Sequence, residues 1–281
     1  MRRLFLFCMF YSGFLTKGQQ VFSNDAARYE ANFVARTALL DEFIHRFNND
    51  HSSGIRRYYE EHHKPFNKSR AQMIRSLFNY TTEKWDSTMV ERFIQRATEP
   101  DKPDLLGFLQ GNWYAEAEGR FVYNSVEHSI RMILQIQVNP DLSSQWVILA
   151  VKPDFELPQG SGAMPVAKHT THSLYIHPTA NETYFSELLR DFADKARLAD
   201  IFDQDFLRRR HSLAFYQAIL SDRLKFVTVR SLKYHYFQVH DWIFTVDNFE
   251  RDTRNSGWLI SSLLPADAGQ RSLYEKKLLE Q

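Results

Sequence analysis

The chain has 281 residues, with 35 lysines and arginines against 34 aspartates and glutamates, 43% hydrophobic side chains and a single cysteine. So even a charge balance excludes the basic excess with which nucleic-acid binders neutralise phosphates, and the lysine-rich amphipathic face of proteins that lie on membranes. With 23 Phe and 13 Tyr available to fill a core, it reads as one large or two modest globular domains.

Arg2 and Arg3 precede an apolar run from Leu4 to Leu15, and small residues follow at Thr16 and Gly18. That order predicts a cleavable secretory signal over residues 1–18. The run is 12 residues long, whereas a bilayer span needs roughly 20, so the segment is expected to address the chain and not to anchor it. Its removal takes away Arg2, Arg3, Lys17 and Cys8, leaving 32 basic against 34 acidic residues and no thiol. Exported eukaryotic domains lean on disulfides. A thiol-free exported chain of this size is therefore expected in the periplasm or at the surface of a Gram-negative bacterium.

Residues 19–158 are expected to form helices followed by an antiparallel meander. From Asp25 to Asn48, Tyr29, Phe33, Thr37, Leu40, Ile44 and Phe47 recur at steps of three and four, one stripe of a long helix. Asn48, Asn49 and Gly54 end it. Ile55 to Lys64 is polar, with Pro65 beyond it, and a second short helix follows with Ser69 as its cap and Met73, Ile74, Leu77 and Phe78 on its apolar side. A third starts near Thr81 or Thr82 and stops before Pro100.

The period then drops to two. Trp113, Ala115, Ala117, Gly119 and Phe121 alternate with Tyr114, Glu116, Glu118, Arg120 and Val122, and Asn124–Ser125 supplies a tight turn into a second alternating strand from His128 to Val138. Trp146 to Val151 reads as a buried third strand. Residues 153–168 hold the densest Pro and Gly cluster, which predicts a boundary or long loop.

Residues 166–264 repeat the order: a short strand from Ser173 to His177, helices around Phe185–Phe192 and Phe206–Leu220, then four strands at Leu224–Val229, Leu232–Val239, Trp242–Phe249 and Trp258–Leu264. Turns are expected at His240–Asp241 and Asn255–Gly257. Residues 265–281 remain as a C-terminal tail or helix. The fold class is α+β, with helices packed on curved antiparallel sheets.

This helix-then-sheet order, over residues 25–152 and 181–264, resembles the cystatin-like roll of NTF2-like proteins, which implies one or two such units. The leader, with Trp113–Phe121 and Asn255–Ile260, resembles uncharacterised secreted proteins of Gram-negative bacteria, which implies an envelope address. NTF2-like folds serve as enzymes, carriers and assembly modules alike, so the resemblance assigns no activity.

Three clusters have residue types that carry chemistry. His169, His172 and His177 are candidate metal ligands, since three imidazoles with an open position suit zinc. The competing reading is a polar loop, because residues five apart on a strand point to opposite faces. Glu116 and Glu118, two apart in a strand, share a face with Arg120; in a pocket they suit acid–base catalysis, and on an open sheet they are a solvated face. Asp200, Asp203 and Asp205 lack the turn glycine and bidentate Glu of a calcium loop, and Asp203 or Asp205 reads as a helix cap. His240 beside Asp241 reads as a turn and not a dyad. Asn67, Asn79 and Asn181 satisfy a glycosylation sequon, relevant only in a eukaryotic host.

There is no phosphate loop, zinc signature or nucleophile motif, so no cofactor is expected. The leading expectation is a non-catalytic binding or assembly module of the cell envelope, with an unidentified protein or small-molecule partner, neither nucleic acid nor membrane-spanning. The alternative is a hydrolase or isomerase with a pocket in a sheet concavity.

Overall fold

The computed structural model describes residues 36–157 and 175–280. Four helices come first: α1 (Leu40–Asn48), α2 (Gly54–Glu61), α3 (Arg70–Ser76) and α4 (Ser87–Ala97). The apolar stripe of α1 is buried through Leu40, Phe43, Ile44 and Phe47, and Asn49 ends it in the left-handed conformation, φ 57°. The start expected at Asp25 lies outside the described residues.

The polar stretch after Gly54 is itself a helix, α2, with only Ile55 buried. No side chain of its own caps it; Glu42 on α1 accepts the Gly54 amide at 2.7 Å, so a tertiary contact supplies what local sequence lacks. Helix α3 begins as expected, with Ser69 and Gln72 forming a capping box. Helix α4 starts later than its apolar pattern suggests. Asp86 accepts the Thr88 and Met89 amides at 2.8 and 3.2 Å, while the Trp85 indole is drawn out of the helix to donate to the Asn79 carbonyl.

Arg70 ties these helices together. Its guanidinium donates to the carbonyls of Phe47 (3.0 Å), Ala97 (2.8 Å) and Asp104, which satisfies exposed carbonyls at the ends of α1 and α4 at once.

The strands are β1 (Trp113–Tyr123), β2 (Val126–Val138), β3 (Ser144–Pro153), then, after α5 (Leu188–Ala193) and α6 (Arg210–Leu220), β4 (Leu224–Tyr236), β5 (Trp242–Phe249) and β6 (Gly257–Pro265). All pairings are antiparallel, in the order β3-β2-β1-β4-β5-β6. The chain is therefore α+β, and the pairing of β1 with β4 fuses two three-stranded meanders into one six-stranded sheet. Where four strands are expected after residue 224, three form. The first two are a single strand, β4, which follows β1 through register shifts at Glu118/Gly119 and Arg120/Phe121; the polar pair Arg230–Ser231 marks that irregularity and not a turn. The Asn124–Ser125 turn is as expected, both residues having positive φ.

Both edges are partly covered. Ile176 and Phe202 bridge to β3, and Thr37 and Phe78 bridge to β6, which occupies backbone groups that would otherwise be open to another chain. On the inner face, Trp113, Ala115, Ala117 and Phe121 of β1 join one core with the apolar sides of α1, α3, α4, α5 and α6. At its centre, rings stack in a column: Trp113 on Tyr236 (5.3 Å, 8°), Tyr236 on Phe244 (5.0 Å, 6°) and Phe244 on Phe47 (6.0 Å, 3°).

The C-terminal segment is a helix, α7 (Ala268–Leu279), capped by an Asp267–Gln270 box. It lies on the outer face over a smaller apolar cluster that includes Tyr114, Ile133, Phe237 and Leu278. Among the described residues no helix is long and apolar enough to cross a membrane.

Candidate functional site

Alternation along β1 sends Tyr114, Glu116, Glu118 and Arg120 to the outer face, the face α7 half covers. Register then fixes their neighbours. Tyr114 lies opposite His235 and Glu116 opposite Lys233 on β4, while on β5 His235 meets Thr245 and Lys233 meets Asp247. Side chains from all six strands and α7 thus converge on a cleft of about 710 Å³, whose walls include Arg131, Lys152, Lys233, Asp247, Ser262 and Lys277.

The centre of this arrangement is a chain of three groups. Tyr274 on α7 places its hydroxyl 2.9 Å from His235 Nδ1, and His235 Nε2 lies 3.3 Å from Glu116 Oε2. Arg131 approaches the other Glu116 oxygen to 3.8 Å. The His235–Glu116 contact is an ion-pair separation without the alignment of a hydrogen bond. Burial pushes the Glu116 carboxyl up, but His235, Arg131 and Lys233 together outweigh it and hold the group below its ordinary value of 4.5. Burial, with the charges of Glu116 and Asp247, raises the Tyr274 phenol to about 12. Tyr274 therefore keeps its proton at neutral pH. The tautomer that suits all three has Tyr274 donating to Nδ1 while Nε2–H faces the carboxylate.

His235 is only 4% exposed, sealed beneath α7. Three further contacts hold that helix down. Tyr114 donates to Glu275, Lys152 Nζ donates to the Lys277 carbonyl at 2.5 Å, and Arg271 donates to the carbonyls of Val239 (3.2 Å) and Phe237. The Glu116–His235–Tyr274 chain belongs to the same clasp.

A depressed carboxylate contributes stability that is complete above its unfolded value and is lost as pH falls through its folded value. Glu116→Gln should therefore unfold at lower urea than the parent at pH 7, with the two midpoints converging below about pH 4. A gap that stays constant from pH 7 to 3 would remove Glu116 as the titrating group of the clasp.

The other carboxylate expected beside it is engaged elsewhere. Glu118 accepts from Ser129 (2.7 Å) and Ser231 (3.2 Å), and Arg120 pairs with Glu127 at 3.5 Å, which Arg230 also holds. Each carboxylate thus has its own partners, so Glu116 and Glu118 are arranged as neighbours on a compensated polar face. Next to them, Thr245 Oγ1 lies 2.8 and 2.6 Å from the Ser261 and Ser262 hydroxyls, and Ser261 donates to Asp247.

His177 is exposed and caps the 3-10 turn Pro178–Thr183, its Nδ1 accepting the Thr179 amide at 3.2 Å. His169 and His172 lie outside the described residues, among which no group of three His, Cys, Asp or Glu side chains is placed to hold a metal. Asp203 accepts the Asp205 amide, Asp205 pairs with Arg208, and Asp194 pairs with Arg197. His240 and Asp241 sit at the β4–β5 turn with Asp241 at φ 59°. Two of the sequon asparagines, Asn79 and Asn181, are buried.

No protein family, curated protein or solved structure matches this chain.

Proposed function

We propose that the chain is an exported, non-catalytic binding module of the cell envelope, and that it meets a polar partner on the outer sheet face beside α7. One observation carries the reading. The charges of that face alternate across the strands, Arg131, Glu116, Lys233 and Asp247, and end in the hydroxyls of Ser261 and Ser262, a surface suited to a partner of mixed charge. The helix-first order of both halves and the bulges that bend β3, β4 and β6 support a cystatin-like roll of the NTF2-like kind as its frame.

A photo-crosslinking residue at Ser262 or Lys277, both exposed, is expected to trap an adduct of discrete mass in the host, and one at Leu142 on the β2–β3 turn is not. No adduct from either outer-face position would overturn the reading. The export half is checked by the intact mass of the native protein, expected to begin beyond Gly18; retained Met1 in the cytosol sinks it.

The proximity of His235 to Glu116 in a sizeable cleft favours a second reading, a hydrolase or isomerase. His235→Gln separates the two. The clasp reading expects a lower Tm with no turnover to lose. The enzyme reading expects lost turnover of an ester or glycoside substrate at an unchanged Tm.

A further inference from the structure

A second cleft, of about 490 Å³, opens where α1, α2 and the α2–α3 connection meet the β5–β6 connection, and it shares no lining residue with the outer-face cleft. Four cations line it, Arg46, Lys64, Lys68 and Arg254, and among the described residues no carboxylate does. Glu42 pairs with one of the cations, Arg46, and both its oxygens are engaged. Oε1 accepts Arg46 Nε and Nη2 at 3.0 and 2.7 Å, and Oε2 accepts the amide that begins α2. Glu42 thus balances Arg46 and leaves the two lysines uncompensated. Among the described residues neither Lys64 nor Lys68 has a carboxylate within ion-pair distance. Lys68 is held below the ordinary lysine value by burial first and then by the charges of Arg46 and Arg254.

The remaining wall includes three tyrosines. Tyr58 and Tyr59 sit side by side on α2, with the Lys64 ammonium 5.4 Å over the Tyr58 ring. Tyr80 faces the cleft from a turn that Asn255 fastens: Asn255 Oδ1 accepts the Tyr80 amide at 3.1 Å, and its Nδ2 donates to the Phe78 carbonyl at 2.8 Å. The tyrosine side of the cleft is therefore built on held backbone.

We infer that this cleft binds a phosphate ester carried on a ring, the phosphate between Lys64 and Lys68 and the ring against the tyrosines. Convergent cations suit a dianion better than a single carboxylate, lysine holds phosphate as a point charge, and tyrosine faces accept the ring of a sugar or a base. The volume lies within the range of small-molecule sites. A nucleoside monophosphate and a sugar phosphate offer the same chemistry.

The test is isothermal titration of the purified protein with adenosine monophosphate, glucose 6-phosphate, inorganic phosphate, adenosine and glucose, at low salt and at 150 mM. At least one ester is expected to bind more tightly than inorganic phosphate and than its phosphate-free ring, more weakly at the higher salt, and the tighter of the two identifies the source. Replacing both exposed lysines, Lys64→Met with Lys68→Met, is expected to weaken that binding by about tenfold or more at an unchanged ligand-free Tm, while Lys225→Met, an equal kind of charge loss on β4, leaves it intact. Equal affinity for esters and inorganic phosphate, binding insensitive to the double replacement, or no binding of any phosphate would each overturn the inference. None of these outcomes bears on crosslinking from Ser262 or Lys277, so the two proposals fail separately.

Discussion

Gly257→Ala is expected to lower the urea midpoint of unfolding by the equivalent of roughly 3 kcal/mol, a large part of the about 5–15 kcal/mol that holds a domain together. Gly257 opens β6 at φ +89°, where an L side chain is strained by about 1–2 kcal/mol. A Cβ built there lies 2.2 Å from the Thr37 carbonyl oxygen and 2.5 Å from its carbon, backbone atoms that no rotamer change can move aside. Thr37 is held at that place by two bonds across the edge, its amide to the Ser256 carbonyl at 3.0 Å and the Trp258 amide to its own carbonyl at 2.8 Å. Relieving the collision means parting the segment from β6, at about 1 kcal/mol for each bond lost. Gly111→Ala is the control, since nothing stands within 4 Å of its Cβ and its φ is ordinary; it should shift stability by less than about 0.5 kcal/mol. Two equal midpoints would mean that the Thr37–Gly257 bridge does not exist in solution.

That bridge also shows why part of this fold is readable along the chain and part is not. Signals within a few residues of each other survive translation into structure. Ser69 with Gln72 caps α3, Asn124–Ser125 turns β1 into β2, and the alternation from Trp113 to Phe121 sorts β1 into its two faces. Helix α2 is invisible to such reading because its cap is Glu42, and β4 looks like two strands because its irregularity is set by pairing with β1, about a hundred residues earlier. The candidate site divides in the same way. Glu116 stands out locally, but its partner His235 reaches it only through the β1–β4 register, and Tyr274 only through the docking of α7. The expectation that Glu116 and Glu118 act together rests on their shared face, which is correct. What the spacing omits is that Ser129, Ser231, His235 and Arg131 come from other strands to engage each carboxylate separately.

The cost of breaking the core should be large at Phe244. Its ring touches four others, Tyr236 at 5.0 Å, Phe93 at 5.5 Å, Phe47 at 6.0 Å and Phe43 at 6.5 Å, and so joins the end of β4 and the start of β5 to α1 and α4. Phe244→Ala removes a fully buried ring that rigid neighbours on both sides hinder from collapsing into the space, so the loss should fall in the range of about 3–5 kcal/mol known for such truncations. Tyr236, one ring along the same column, should behave in the opposite sense. Its hydroxyl is fully buried with no hydrogen-bond partner among the described residues, and burial pushes the phenol well above its ordinary value. An unsatisfied buried hydroxyl costs about 1–3 kcal/mol, so Tyr236→Phe keeps the stacked ring and deletes the penalty. The expected result is an unchanged or higher urea midpoint, measured beside a Phe244→Ala midpoint that falls steeply. A Tyr236→Phe protein less stable by more than about 1 kcal/mol would show that the hydroxyl has a partner, and a tolerant Phe244→Ala would move the centre of the core away from this column.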